Sequence, residues 1–432
     1  MIPKIGGRSG LLANRDFMLL FSGKLVSQLG DQVYAFALSW FILARTHSGL
    51  QMALFLVVDS LVLALLSPLG GAIADRTSRK SILVAMDLAR ALIVIALAIL
   101  YQFDVLQIWM LYVGAVALST CAAVFGPASS AIIPNIVDDK GLPKALSLVQ
   151  FSWSFTAIAG MLAGGIVFSW AGVSAIFLIN ALSFLVSAGL EARVRVAARL
   201  KSLDGSRLPL GPSLRSRIGI LGREMREGYH YVRSDRLIFS FCVLYAIYNA
   251  LIMPMGFVYI PYFFNAILKA ASYQLAFATG SIFVGMMTAS LIVPRVIGRL
   301  RLRSAILRGL FVLGASWAVF IASVLGPLGR GLDTWGITWL VSGLSFAIGL
   351  AVTFFNVPIN LILQRRTADE YRGRFWGFFS SLVSLSVPFG YLVGGALVQR
   401  LPLRLIFAAS ALAVLALALW IAGLKELREL ED

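Results

Sequence analysis

Lys24, Gln28 and Asp31 recur at i, i+4 and i+7 in an otherwise apolar run, so in a helix all three share one face. At 1.5 Å per residue Asp31 stands about 24 Å beyond Arg15, far from either end of that run. If the run crosses a bilayer, an ionised carboxylate at its centre costs about 2.5–3.5 kcal/mol on insertion scales, and acids kept at that depth commonly mark ion or proton paths. Two readings stand for Asp31: a group that takes up and releases a proton, and half of a structural ion pair with Lys24. Lys24 has its own alternative, a long side chain reaching back to the headgroups. Asp59, about nine residues into the next apolar run, is the other deep acid, and it can exchange a proton or hydrogen-bond a neighbouring helix. Asp31 and Asp59 are therefore the candidate proton-coupling residues. Histidine does not compete, because His47 and His230 both fall between apolar runs.

Two uncharged stripes point to a cargo. Thr353, Asn356, Asn360 and Gln364 follow i, i+3, i+7 and i+11, and Cys242, Tyr245 and Asn249 do the same, with Tyr248 beside them. Amide and phenol groups set among Phe, Met and Trp suit an amphipathic organic molecule better than a small inorganic ion. Interhelical hydrogen bonding accounts for each residue equally well. The candidate cavity set is Lys24, Gln28, Gln150, Tyr245, Asn249, Asn356 and Asn360, with Trp153 near Gln150. No catalytic constellation accompanies them. A glycine-rich phosphate loop ending in Lys-Ser/Thr is absent, which argues against primary ATP drive, and no Cys/His cluster could hold a metal. The expectation is a protein that is not an enzyme and uses no cofactor. Cys121 and Cys242 lie in different apolar runs and read as buried small hydrophobes.

The elements that must position these residues follow from composition. The 432 residues are 59% hydrophobic and 13% charged, with mean hydropathy +0.88, which excludes an ordinary soluble fold. Apolar runs of spanning length fall at 17–43, 50–74, 81–101, 108–136, 143–169, 172–191, 237–266, 271–297, 304–326, 335–363, 373–399 and 403–423. The pattern predicts an all-α membrane protein with twelve transmembrane helices. A net charge of +17 could suggest nucleic acid, yet the cations sit in short clusters between apolar runs. Thirty of the 37 Lys and Arg fall on one side when both termini are cytoplasmic; Arg45, Lys269, Arg330, Arg400 and Arg404 fall on the other, and Lys24 and Arg90 lie within helices. The first run should act as its own insertion signal, since 1–14 has no long apolar stretch.

The halves repeat. Laying Phe125 to Leu190 on Phe355 to Trp420 with a constant shift of 230 brings Gly160, Gly164 and Gly165 onto Gly390, Gly394 and Gly395. The domains expected are a six-helix bundle at 1–192, a cytoplasmic linker at 193–235 and a second six-helix bundle at 236–432. The linker and Arg236 carry eleven cations, and Ile218 to Tyr229 can form an amphipathic helix on the anionic inner leaflet, drawn by about 1 kcal/mol per cation, or serve as a plain tether.

Between the second and third runs, Gly70 to Ile82 is a short basic loop in which paired glycines permit close packing, Asp75 can face a helix N-terminus, and Arg76, Arg79 and Lys80 resist crossing hydrocarbon. Its cations alone could serve only to fix topology. Gly71 to Ile82 resembles the signature of the loop between the second and third spans of the major facilitator superfamily, Gly-x-Leu-Ala-Asp-Arg-x-Gly-Arg-Lys-x-hydrophobic, with Ser78 in place of a glycine. Gly30-Asp31-Gln32, Leu38-Ser39-Trp40, Thr46-His47-Ser48, Gly126-Pro127-Ala128 and Ile133-Pro134 resemble the bacterial branch that holds macrolide efflux proteins and enterobactin exporters. The resemblance implies two parallel six-helix pseudo-repeats, the major facilitator fold, and a substrate site near the membrane midplane.

It also implies a gating role for Gly71, Asp75, Arg76, Arg79, Lys80 and Arg90, with Asp75 meeting the start of the eleventh span near Arg372, Gly373 and Arg374 in one state of the cycle. Gly298 to Ser304 is a worn copy of the loop without the aspartate, so the latch is asymmetric. Gly160 to Gly165 is similar to the antiporter signature Gly-Pro-x-x-Gly-Gly, but Met161 replaces the proline. The fourth span lacks the arginine of many drug-proton antiporters, and Arg90, three residues after Asp87, can instead pair locally.

The expectation is a monomeric secondary transporter of the bacterial cytoplasmic membrane that exports an amphipathic small molecule, such as a drug, macrolide or siderophore, in exchange for protons, with the lipid bilayer as its medium and no nucleic-acid partner. A lipid or lysophospholipid translocator and a non-transporting sensor are the alternatives. The orientation is testable: a cysteine placed at Ser78 should react with a membrane-impermeant maleimide in inverted vesicles and not in intact cells, and labelling in intact cells would reverse the topology.

Overall fold

Continuous apolar sequence with its backbone bonded internally leaves a choice, in hydrocarbon, between helices and closed barrels, and this chain takes helices. The computed structural model describes residues 11, 14–74, 77–138, 141–195, 214–296, 302–326 and 328–428. Among these, every regular element is helical. In order they are α1 (Arg15–Thr46), α2 (Gly49–Ala74), α3 (Arg79–Gln102), α4 (Ile108–Ile136), α5 (Leu142–Glu191), α6 (Leu214–Ser234), α7 (Arg236–Ile267), α8 (Ser272–Val296), α9 (Leu302–Ser323), α10 (Thr334–Arg366), α11 (Arg372–Arg400), α12 (Leu403–Ala422) and the short α13 (Lys425–Arg428).

Ten of the helices are long and apolar enough to cross a membrane. α1 is not among those ten, since Gln28, Asp31 and Gln32 lower the hydropathy of its middle and Lys24 that of its first half. The expected fifth and sixth spans are two helices that follow one another without a loop, numbered together as α5 and parted at Gly172, whose φ of 70° and ψ of −168° are open to glycine alone. α7 changes to wider π-helical turns at Met255–Tyr259 and Phe263–Ile267, just after Pro254. Starts are set by side-chain caps where the sequence supplies them. Ser78 accepts from Ser81 N at the head of α3, Asp235 from Leu237 N and Ile238 N at α7, and Asp333 from Gly336 N at α10.

The chain divides into two compact units, Met1–Leu38 with Val58–Leu214, and Ser39–Val57 with Arg215–Asp432. The sequence reading put the boundary in the linker alone, whereas the ends of α1 and α2 around their connecting loop group with the second unit. Small residues explain why: a Cβ on Gly49 would strike Val398, one on Gly395 would crowd Ala53 and Leu50, and Gln399 Nε2 donates to Ser48 Oγ.

Inside each unit the packing repeats. In the first unit α3 lies against α4 and α5, and Gly160 and Gly164 bring α5 onto Gln32 and Val33 of α1. In the second unit α9 lies against α10 and α12, and Gly390 and Gly394 bring α11 onto Ala250 and Pro254 of α7. The repeat read at a shift of 230 is thus a repeat of helix contacts. Gly172→Ala should cost about 1–3 kcal/mol by forcing a side chain into a backbone region that excludes it, seen as a lower unfolding midpoint in detergent.

Candidate functional site

In the first unit the deep charges converge. α1 supplies Lys24, Gln28 and Asp31, α3 supplies Asp87 and Arg90, and the end of α5 supplies Glu191. Arg90 Nη1 lies 3.6 Å from Asp31 Oδ2 and 3.6 Å from Asp87 Oδ1. Its guanidinium is sandwiched between aromatic faces, 4.3 Å from the Phe125 ring centroid and 5.1 Å from that of Phe184. Arg90 and Asp87 are buried, while the Asp31 side chain is 44% exposed. Asp31 is therefore the exposed side of the Asp31–Arg90–Asp87 group.

The local Asp87–Arg90 pair expected from the sequence is present, but Arg90 also takes Asp31, and the Lys24–Asp31 pair does not form. The carboxylate acting on Lys24 is that of Glu191. The seven-residue step from Lys24 to Asp31 is about 10 Å of helix, which holds the two heads apart. Gln28 Oε1 accepts from Ser152 Oγ at 3.2 Å. Asp59 accepts from Ser119 Oγ at 2.6 Å, the interhelical bond that was its alternative reading, and its residue is exposed.

Glu191, Asp87 and Ser119 were missed as site residues. Glu191 ends the predicted sixth span and reads as a boundary residue. Its partners come from α1 and α3, which helical periodicity within one run cannot reveal.

In the second unit the two uncharged stripes meet. Asn360 Nδ2 donates to Tyr245 Oη at 3.1 Å, Tyr245 Oη donates to the Asn356 carbonyl at 3.5 Å, and Asn249 Nδ2 donates to the Tyr245 carbonyl at 2.8 Å. Phe355 and Phe379 flank the Tyr245 ring, the latter edge-on at 5.2 Å. Tyr245, Tyr248 and Asn249 are buried, and the Asn356 Oδ1 acceptor is buried with no partner. Gln364 is exposed, as are Gln150 and Trp153 on α5. Cys242 is buried as expected, but Cys121 is only half-buried.

At the basic loop, the close approach belongs to Gly70, which abuts the Ala123 carbonyl, whereas the nearest atom to a Cβ on Gly71 is Pro127 Cβ at 4.0 Å. Arg79 Nη1 donates to the Ala131 carbonyl at 2.6 Å and ties the head of α3 to α4, with Lys80 half-buried beside it. Ser78, where the signature has glycine, is the α3 cap. Asp75 and Arg76 lie outside the described residues. Arg374, expected near Asp75, pairs with Glu227 of α6 at 3.0 Å.

Residues 20–339 match the sequence model of the Major Facilitator Superfamily. Macrolide efflux protein A of Streptococcus pyogenes is 22% identical over 424 residues, covering 96% of this chain and 97% of that one. The multidrug efflux pump Tap of Mycobacterium tuberculosis is 25% identical over 428 residues, covering 96% and 94%. Among solved structures, the nucleoside transporter NupG superposes with a TM-score of 0.74 at 13% identity, covering 94% of this chain and 98% of that one. A bacterial homologue of the iron transporter ferroportin in an inward-facing state gives 0.69 at 17% identity, covering 96% and 100%. At such identities the structural likenesses establish the fold.

The α7–α10 seam can be weighed without knowing any cargo. A double-mutant cycle of Tyr245→Phe and Asn360→Ala, followed by unfolding in detergent, should return a coupling of about 0.6–1.7 kcal/mol, and a value near zero would dissolve the seam.

Proposed function

The chain belongs to the major facilitator superfamily and is a membrane transporter, and from that premise we propose that it exports an amphipathic small molecule by alternating access coupled to proton antiport. The cargo class is that of a drug, macrolide or siderophore. Twelve crossings then place both termini on the cytoplasmic side of the bacterial inner membrane, with α1 as the first and α5 contributing two on either side of Gly172. Export is favoured by the efflux proteins that align with nearly the whole chain. An amphipathic cargo is favoured by the aromatic, amide-bearing seam around Tyr245.

The observation that carries the coupling is the half-exposed Asp31 held at 3.6 Å from the buried Arg90. Two unit charges about 4 Å apart interact by about 4 kcal/mol at an effective dielectric of 20, and exposure of one partner draws such pairs toward about 1 kcal/mol. A pair that weak opens when Asp31 takes a proton and closes when it gives one up. Gly71, Arg79, Lys80, Asp75 and Arg76 complete the proposal as the gating loop. Asp59, bonded to Ser119 on α4, remains the second acid of the coupling proposal.

Inverted vesicles carrying the protein should accumulate a labelled macrolide when their interior is acidified, and a protonophore should abolish the uptake. Asp31→Asn should remove gradient-driven uptake while leaving wild-type amounts of protein in the membrane. Unchanged accumulation in that variant would overturn the role of Asp31, and a wild-type protein indifferent to the gradient would overturn antiport.

A further inference from the structure

Glu191 is 1% exposed, and neither of its carboxylate oxygens has a hydrogen-bond partner. The charged groups that act on it are Asp87 and Arg90 from α3 and Lys24 from α1; the side chain nearest in sequence on its own buried face is Ser187, which faces Asp87. Asp87 and Arg90 lie 0% and 4% exposed beside it. Asp31, Asp87 and Glu191 therefore face only two cations, Lys24 and Arg90, and Asp59 adds a further negative charge acting on Asp31 from α2. One proton more than the ionised set carries is needed to balance even the first five groups. Asp31 is part-exposed and Asp87 has Arg90 at 3.6 Å, so the acid left with neither exposure nor a hydrogen bond is Glu191, on which Arg90 and Lys24 act through their charge alone.

The groups are also ordered along the helices. Counting from Arg15 and Arg79, Lys24 and Asp87 lie about 12–14 Å into α1 and α3, Arg90 about 17 Å and Asp31 about 24 Å, with Glu191 the last residue of α5. They form a ladder from the end of the unit where α1 and α3 begin to the part-exposed Asp31.

We propose that Glu191 holds a proton in this conformation and is the inner proton carrier of the transport cycle, linked to Asp31 through Arg90. The proposal rests on the antiport reading above for its role in transport, but not for the protonation itself. When Asp31 gains a proton, its claim on Arg90 ends. The guanidinium then turns its full charge on Asp87 and Glu191, and the Glu191 O–H bond breaks, releasing its proton to water at the end of the unit where α5 stops. One proton enters at Asp31 and one leaves from Glu191, and the cluster keeps its net charge. In the reset the proton on Asp31 passes to Glu191, so that Asp31 is ionised again with Arg90 back upon it and one proton has moved from the Asp31 side to the Glu191 side.

The infrared spectrum of the purified protein in lipid at neutral pH tests the protonation with no cargo present. Wild type should show a protonated-carboxyl band that Glu191→Gln removes, Glu191→Asp retains at a shifted position, and Asp31→Asn, which mimics the protonated Asp31 and frees Arg90, weakens. A band unaffected by either Glu191 variant, or no band at all, overturns the proposal. In vesicles, Glu191→Gln should lose gradient-driven macrolide transport while retaining exchange of labelled for unlabelled macrolide, which moves no net proton. Driven transport at the wild-type level in Glu191→Gln overturns the carrier role and leaves the export reading standing. A wild type that moves no macrolide defeats the export reading, and the infrared band still decides Glu191.

Discussion

A buried arginine in a helix bundle must be answered from several sides, and in this chain that requirement fixes how the first unit is built. Arg90 has carboxylates at 3.6 Å from its own helix and from α1, aromatic faces from α4 and α5, and almost no water. Removing the buried Asp87 would leave a charge in low dielectric, where losing one partner of a buried pair costs several kcal/mol, whereas the part-exposed Asp31 is the weaker partner. The cost is spread over four helices, so α1, α3, α4 and α5 are bound to one register. Yet Nε and Nη2 of Arg90 lack hydrogen bonds, and its ion pairs are longer than good charge-assisted bonds. An assembly locked for stability would satisfy those donors. The loose pairing leaves the guanidinium room to change partners.

Close helix contact is supplied by a different device. Without water to drive apolar surfaces together inside a bilayer, helices associate through van der Waals contact, and glycine permits the shortest approach. The same spacing, Gly160 with Gly164 and Gly390 with Gly394, seats α5 on α1 in one unit and α11 on α7 in the other. These glycines have no hydrogen-bonding chemistry to contribute. They bring backbones together, so that polar side chains one turn away, such as Gln28 with Ser152, come within reach.

Helix positions were legible because hydrocarbon demands long apolar runs, and each predicted span lies within a few residues of an observed helix. The repeat was legible too, since the glycines that set contacts sit at equal spacing in both halves. Partners across helices were not. Periodicity put Lys24, Gln28 and Asp31 on one face correctly, but which neighbour answered each was decided by α3 and α5, which bring Arg90 to Asp31 and Glu191 to Lys24. The stripe on α7 and the stripe on α10 were each visible, whereas their direct bond through Tyr245 and Asn360 was not. Gln150, marked for its type alone, proved exposed.

Two units with one pattern of helix contacts carry different chemistry. Among the described residues the buried charged groups are Asp87, Arg90 and Glu191, all in the first unit. The second unit buries neutral polar groups, including Asn249, Gln274, Thr279 and Thr353, and bonds them mainly to backbone carbonyls of their own helices or, through Tyr245, to one another. A duplicated scaffold has no structural reason to separate the two kinds of group, because glycine contacts and apolar faces suffice to build either copy. Charge in hydrocarbon is kept only where its cost is offset, whereas neutral amides and phenols can satisfy themselves locally and still leave an acceptor such as Asn356 Oδ1 open. Protonation changes the electrostatics of the first unit and leaves the neutral groups of the second as they were. On the proposed antiport reading, the acids that would carry protons lie in the first unit, whereas the seam around Tyr245 in the second offers a cargo neutral groups alone.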